Sequence, residues 1–389
     1  MAGVNRSAAL ACLALGLAAC GGGGSSDSAV PAPEAAARER VRMIVMGDSG
    51  TGSAGHYDVG RAMAKVCELK QDADGRAGCD LALGMGDNIY DDGVKGAYDE
   101  QFDTKFELPF EPVKLPFYMV LGNHDNTGVF GGDGLSNRRG EYQVDYHYRT
   151  DRFSERWQMP ARYYRFTAGD SHGGQPLVEI FALDSNPIAL VDADAQYADH
   201  SYGLMQRQWM LDAAQQSRAR FKIAIAHHPY LSNGKHGNAG NYDGLPPLLF
   251  PIISGTKWKE FIEKAVCNRV DFFWSGHDHD LQVIDPVPSC GRTAFMVSGA
   301  AGKTRQIKDA ERNVATFQRG GVYGFFWAEA VEGDPDTDTL GELCIEAYVL
   351  DRDDVDLGVV NAEGLTPAHV QCYPEYRKPM PSLLDLGRS

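Results

Sequence analysis

Val270-Asp271-Phe272-Phe273-Trp274-Ser275-Gly276-His277-Asp278-His279 decides how this chain is read. A bulky apolar run, long enough for one buried strand, stops at a glycine, and the next residues are His, Asp and His. His277 and His279 are two apart, so on an extended segment they lie on the same side and can each serve a different ion of a pair. The same ending recurs along the chain. Segments 41–46, 81–85, 117–121 and 222–226 also read as buried strands. They run into Gly47-Asp48-Ser49, Gly86-Asp87-Asn88-Ile89-Tyr90, Gly122-Asn123-His124-Asp125 and Ala226-His227-His228-Pro229.

Between these runs lie helical patterns at 58–69, 204–217 and 257–267, the second with Leu204, Trp209, Met210 and Ala213 on its expected core face. Strands alternating with helices predict a layered α/β architecture. In such sheets ligands gather outside the C-terminal strand ends, so residues far apart in sequence are expected to converge at one rim. Later segments 294–298, 322–330 and 343–350 read as a second set of strands, which predicts a sandwich of two sheets. Segments 126–160 and 233–251 have weak periodicity and are expected to form loops over the site.

The clusters supply carboxylates, a phenol, an amide and imidazoles, enough oxygen and nitrogen donors for two adjacent metal positions. Asp48 and Asp87 sit beside glycines that let the backbone turn and leave each carboxylate free to face a cation. Tyr90 follows Asp87 closely enough to reach the same ion. A phenol with an ordinary pKa near ~10 ionises only beside a strongly acidic ion such as ferric iron, which makes Tyr90 the most discriminating residue. Asn123 offers a neutral oxygen, and His124 beside it points elsewhere and is free for catalysis. Asp125 is expected to orient His124 through a hydrogen bond. Of the adjacent pair, His227 is taken as the ligand and His228 as a packing residue.

In this order the motifs resemble the metallophosphoesterase (calcineurin-like) superfamily. With Tyr90 they resemble the purple acid phosphatases, of the small tartrate-resistant acid phosphatase type. The resemblance covers 43–302, including Gly276-His277-Asp278-His279-Asp280-Leu281-Gln282. It implies a four-layer αββα sandwich of two mixed β-sheets flanked by helices. It also implies an Fe(III) held by Asp48, Asp87, Tyr90 and His279. A second divalent metal (Fe, Zn or Mn) would be held by Asn123, His227 and His277, with Asp87 bridging. The family places a His in the loop after the strand-end His, and His236 fits that place.

The implied activity is phosphomonoester hydrolysis by a metal-bound hydroxide, with His124 and His236 holding the phosphate or protonating the leaving group. A ferric–divalent pair brings about +5 against about −4 from the ligands and hydroxide, so the site stays positive toward a phosphate dianion. The alternatives are a phosphodiesterase or nucleotide hydrolase of the same superfamily, and a non-catalytic envelope binding protein. The chain departs from many relatives at Ala226-His227-His228-Pro229, where Gly often comes first, and in the two loop segments.

With 53 acidic and 37 basic side chains the formal charge is −16, which argues against a nucleic-acid partner. Small phosphorylated compounds are the expected substrates. Residues 1–19 read as an export signal, with Arg6 before an apolar run too short to span a bilayer. The ending Leu17-Ala18-Ala19-Cys20 resembles the lipobox of bacterial lipoproteins, so Cys20 is the expected lipidation site and membrane anchor. The expected location is the bacterial envelope, in the periplasm or at the outer membrane. Segment 20–40 reads as a flexible tether and 41–389 as one metallophosphoesterase domain.

Beyond Cys12 in the signal and Cys20, the cysteines are Cys67, Cys79, Cys267, Cys290, Cys344 and Cys372. An even number in an exported chain is compatible with disulfides. Pairing of sequence neighbours would give 67–79, 267–290 and 344–372, and buried free thiols are the alternative.

Overall fold

Strand β8 (Phe272–Ser275) shows why the chain folds in layers. Its residues alternate between two hydrophobic clusters: Phe272 and Trp274 enter one, and Phe273 enters the other. A strand buried on both faces needs a partner layer on each side. The neighbouring β7 (Phe221–Ile225) repeats the pattern, with Ile223 and Ile225 facing one cluster and Ala224 the other.

The computed structural model describes residues 38–376 apart from 127–131, 133–135, 191–194, 247, 251–252, 335–336, 338 and 352–364. The export signal, Cys20 and residues 20–37 of the tether lie outside the described residues. One sheet contains β1 (Arg40–Met46), β2 (Leu81–Gly84), β3 (Phe117–Met119), β4 (Trp157–Gln158), β12 (Tyr323–Val331), β13 (Glu342–Leu350) and β14 (His369–Pro374), in the order β14-β13-β12-β1-β2-β3-β4. The other contains β5 (Tyr164–Ser171), β6 (Gln175–Ala182), β7, β8, β9 (Asp280–Ile284), β10 (Ala294–Ser298) and β11 (Ala315–Gly320), in the order β11-β9-β10-β8-β7-β6-β5. Both sheets are mixed: β1 pairs in parallel with β2 and antiparallel with β12, and β10 pairs in parallel with β8 and antiparallel with β9.

The larger core lies between the sheets, with Val45, Leu83 and Phe326 from one side and Val178, Ile223 and Trp274 from the other. On the far face of the first sheet, the helix Ala54–Leu69 adds Val59, Ala62, Met63 and Val66 beside Ile44. On the far face of the second sheet, Phe181, Phe273 and Phe295 pack with Met210, Trp258 and Ile262 from the helical segments. Truncating a buried aromatic such as Phe273 to Ala would cost about 3–5 kcal/mol. The result is the four-layer αββα sandwich.

Several local expectations need correction. The first helix starts at Ala54 rather than 58, because the Ser53 hydroxyl accepts the His56 amide and caps it. Leu204 is 45% exposed and not on the core face of its helix (Leu204–Gln216), whose inner side is Gln206, Met210, Ala213 and Ala214. The segment 126–160 contains the helix Gly140–His147 and β4 as well as loop. Strands β5, β6, β9, β11 and β14 were not anticipated.

Disulfides join Cys67 to Cys79, Cys267 to Cys290 and Cys344 to Cys372. The first ties the end of the first helix to the approach to β2, and the last links register partners of β13 and β14. Among the described residues, no helix is long and apolar enough to cross a membrane.

Candidate metal centre

The C-terminal ends of β1, β2, β3, β7 and β8 meet at one rim, and their backbones are bent to do so. Asp48, Asp87 and His277 all have positive φ, at 57°, 52° and 71°. Side chains avoid this region unless the surroundings enforce it. The enforcement is visible here: the Asp48 amide donates to the Gly86 carbonyl at 2.9 Å, which ties the first two ends together. Gly122 has no room for a side chain, since a Cβ there would lie 2.1 Å from Asp87 Oδ1.

The donor atoms fall into two sets. In the first, Tyr90 OH donates to Asp48 Oδ1 at 3.0 Å and lies 3.3 Å from His279 Nε2, which is 3.5 Å from Asp48 Oδ1. In the second, His227 Nε2 lies 2.9 Å from Asn123 Oδ1 and 3.0 Å from His277 Nδ1. Asp87 stands between the sets, with Oδ1 3.4 Å from His227 Nε2 and a charge that also acts on the Tyr90 phenol. Donor atoms of Asp48, Asp87 and His227 all lie within 4.8 Å of one another, a cluster able to hold a metal ion. The fold thus brings together all seven residues singled out as ligands.

These residues suit a cation on chemical grounds. His227 Nδ1 faces the Met85 carbonyl at 2.9 Å and so must carry the proton. In the neutral ring Nε2 is then a bare lone pair. Asn123 Nδ2 donates to the Gly132 carbonyl at 2.6 Å, which turns Oδ1 toward that lone pair. An imidazole nitrogen, an amide oxygen and a carboxylate oxygen therefore converge, and positive charge relieves their repulsion.

Titration points the same way. Burial, with smaller contributions from neighbouring imidazoles, keeps His277 far below the usual imidazole range, and burial with the Arg305 charge brings His279 to about 3, so both rings keep free lone pairs. Burial lifts Asp48 to about 7 against the pull of His227. Burial also raises Asp87, but positive charge on His227 and His124, with the His124 amide, outweighs it and holds it at about 2; with His227 neutral, a cation would take over that role. Burial and the two aspartates push the Tyr90 phenol far above its ordinary value. It would ionise only with strong positive charge beside it.

The backbone supports these ligands. The His277 amide donates to Asp48 Oδ2 at 2.8 Å and the His124 amide to Asp87 Oδ1 at 2.9 Å. Asp125 does not orient His124. Its carboxylate accepts from the Gly122, Asn88 and Ile89 amides and from Gln143 Nε2, at 2.7–3.1 Å, and so pins the turn that carries Asp87. His124 Nδ1 instead donates to the Asp91 carbonyl at 2.6 Å. His228 is buried, with Nδ1 2.8 Å from Ser185 Oγ.

A cavity of about 380 Å³ opens over this centre. His124 and His236 both line it, the latter with its ring 4.2 Å from that of His277. His236 Nδ1 is 2.9 Å from Asp243 Oδ1 and Nε2 is 3.2 Å from Arg305 Nη1. Lys235, Lys303 and Arg305 complete a basic wall. Sequence reading did not single out these three, and the run Lys303-Thr304-Arg305 following Gly299-Ala300-Ala301-Gly302 was the available signal.

This chain belongs to the calcineurin-like phosphoesterase family, whose profile matches residues 41–281. Among known relatives it is similar to purple acid phosphatase 3 of Arabidopsis thaliana, with 28% identity over 276 residues, 68% of this chain and 63% of that protein. It is also similar to human tartrate-resistant acid phosphatase type 5, with 25% identity over 300 residues, 74% of this chain and 79% of that protein. The chain thus spans less than two thirds of the Arabidopsis relative.

Solved structures share the fold. GAP50, the anchor in the inner membrane complex of Plasmodium, superposes with TM-score 0.62 at 15% identity, covering 87% of this chain and 90% of its own. Purple acid phosphatase PPD1 from yellow lupin seeds gives 0.52 at 14% identity, covering 86% and 53%.

Proposed function

We propose that this chain is a binuclear-metal acid phosphatase that hydrolyses phosphomonoesters. The observation that carries this is the convergence of lone-pair atoms from Asp48, Asp87, Asn123, His227, His277 and His279 beneath an open cavity. Asp48, Tyr90 and His279 would hold Fe(III), and Asn123, His227 and His277 a divalent iron, zinc or manganese, with Asp87 shared. Bound there, such a pair supplies Lewis acidity and a nucleophile derived from water near neutral pH.

The protein groups divide the remaining work. His124 donates through Nδ1 to the Asp91 carbonyl, so Nε2 is the atom left to hold a proton for the departing oxygen. His236 is held differently. Its Nε2 faces a guanidinium, which can only donate, so Nε2 accepts there and the ring fixes Arg305. Of the two histidines, this favours His124 as the proton donor and His236 as a positioning residue. A donor imidazole has to be protonated, so activity is expected to favour mildly acidic conditions.

We also propose that residues 1–19 direct export, that Cys20 carries a lipid anchor in the bacterial envelope, and that 41–389 form the phosphoesterase domain. Three disulfides support an oxidising location. Mass analysis of the mature N-terminus tests the anchor.

Elemental analysis of purified protein, combined with rates on p-nitrophenyl and bis-p-nitrophenyl phosphate, tests the enzyme. Two metals per chain and faster monoester cleavage are expected. A diester preference would shift the reading to a phosphodiesterase, and no hydrolysis would leave a binding protein.

A further inference from the structure

The wall of the cavity carries three positive charges outside the ligand set, of which Lys303 lies 3.5 Å over the Tyr90 ring. The chain is acidic overall, with 53 acidic against 37 basic residues. Even so, Lys235, Lys303 and Arg305 all line this cavity, and Asp87 and Asp243 are the carboxylates in its described lining. Asp243 is engaged with His236 at 2.9 Å. Among the described residues, the guanidinium of Arg305 has His236 Nε2 as its side-chain partner, and neither Arg305 nor Lys235 forms an ion pair. Lys303 meets Asp91 at 3.3 Å, but that carboxylate is 75% exposed, and exposed pairs contribute little.

The backbone that carries the wall is also tied down. The Arg305 amide donates to the His279 carbonyl at 2.8 Å, and the Gly321 amide donates to the Arg305 carbonyl at 2.9 Å. The loop carrying Lys235 is bound to the same segment. Arg312 donates to the Ser232 and Gly234 carbonyls at 2.7 and 2.9 Å, and the Asn313 side-chain amide donates to Asn233 and Asn238 at 2.9 Å each. A backbone held in this way limits how far the segment must reorganise when a negative group arrives. A cavity of about 380 Å³ is also of a size that takes a small molecule and not just one phosphoryl group.

We propose that Lys235, Lys303 and Arg305 hold a second anionic group of the substrate, so that diphosphates are preferred over phosphate esters of neutral alcohols. This rests on the phosphatase reading above. In pyrophosphate hydrolysis the bond between the bridging oxygen and the attacked phosphorus breaks and the water oxygen forms the new bond. The two phosphate products take one proton each from the water. The charge left on the departing phosphate is what the three side chains meet.

The test compares kcat/KM on pyrophosphate and p-nitrophenyl phosphate for the full chain and for Lys235→Ala, Lys303→Ala and Arg305→Ala. The ratio of the two values is expected to fall about tenfold or more in Arg305→Ala, as for loss of one charge-assisted hydrogen bond. Lys235→Ala, which makes no contact with His236, should lower the ratio in the same direction. Calorimetric binding of methylenediphosphonate and of inorganic phosphate gives a second readout, in which the diphosphonate should lose more affinity than phosphate. An unchanged ratio, or equal loss on both substrates and both ligands, overturns the proposal. Absence of p-nitrophenyl phosphate hydrolysis by the parent chain overturns the phosphatase reading, and the binding comparison then still decides whether the wall selects a second anionic group.

Discussion

His56 is expected to set an acid limit on this fold. It lies in the first turn of the helix Ala54–Leu69, fully buried, with its ring 4.8 Å from that of Phe110. Nδ1 accepts the Gly52 amide at 3.3 Å, which holds the turn following Asp48, and among the described residues Nε2 has no hydrogen-bond partner. Burial lowers its pKa from 6.5 to about 3. Above pH 6.5 both folded and unfolded chains carry a neutral ring, and stability is full. Between 6.5 and 3 only the unfolded chain takes up the proton, so stability falls by about 1.4 kcal/mol per pH unit, and below 3 the loss levels off.

From pH 7 to pH 5 the loss is about 2 kcal/mol, a sizeable share of the roughly 5–15 kcal/mol that keeps a domain folded. His56→Gln removes the titration while keeping an acceptor for Gly52. Urea unfolding of both proteins at pH 7 and pH 5 gives the difference directly, and any fixed cost of the Gln cancels in it. The parent should lose about 2 kcal/mol more than the variant. Equal losses would show that His56 is not held neutral by burial. Under the proposed mechanism this sets up an opposition within one pH range: protonating the proposed donor His124 would raise activity while His56 erodes the fold.

Other outcomes are as concrete. Tyr90→Phe should abolish any visible charge-transfer absorption while leaving measurable metal, and persistence of the colour would exclude Tyr90 as an iron ligand. Gly122→Ala would drive a Cβ to 2.1 Å from Asp87 Oδ1, so metal content should drop and activity fall about 10²-fold, as a displacement near 1 Å produces; full metal occupancy would show that the turn can yield. Removing the metals by chelation should lower the thermal midpoint, by the equivalent of about 2.7 kcal/mol for sites previously at a hundredfold excess over Kd, and a midpoint insensitive to chelation would argue against bound metal. Replacing Cys67 and Cys79 by Ser opens a loop with sequence separation 12, for which about 3 kcal/mol of stability should be lost in denaturant titration.

The strands that carry the site were legible because each is a short apolar run ending at a glycine or a polar cluster. β1 and β10 lie within a residue of the expected limits. Those that escaped reading were of another kind. β5 and β14 lie at the sheet edges and mix exposed with partly buried residues, and β9 follows directly on His279 with no break between motif and strand. Leu204 was misplaced because periodicity gives the angular spacing of a helix but not the phase at which it meets the sheet. Asp125 was misread for a related reason: a neighbour in sequence was taken as a neighbour in space, whereas its carboxylate turns back to the Asp87 loop.

The residue types and their order, by themselves, established the family resemblance, the layered α/β plan and the set of side chains able to bind metal, because strand period and donor chemistry are local properties of the chain. Only the tertiary structure decided which atoms face one another. The proton of His227 is directed to Met85, His236 is held by Arg305 instead of being left free, and Lys235 and Lys303-Thr304-Arg305 come together as one basic wall. Those contacts join residues many positions apart, and they depend on sheet register and loop packing that no stretch of sequence contains.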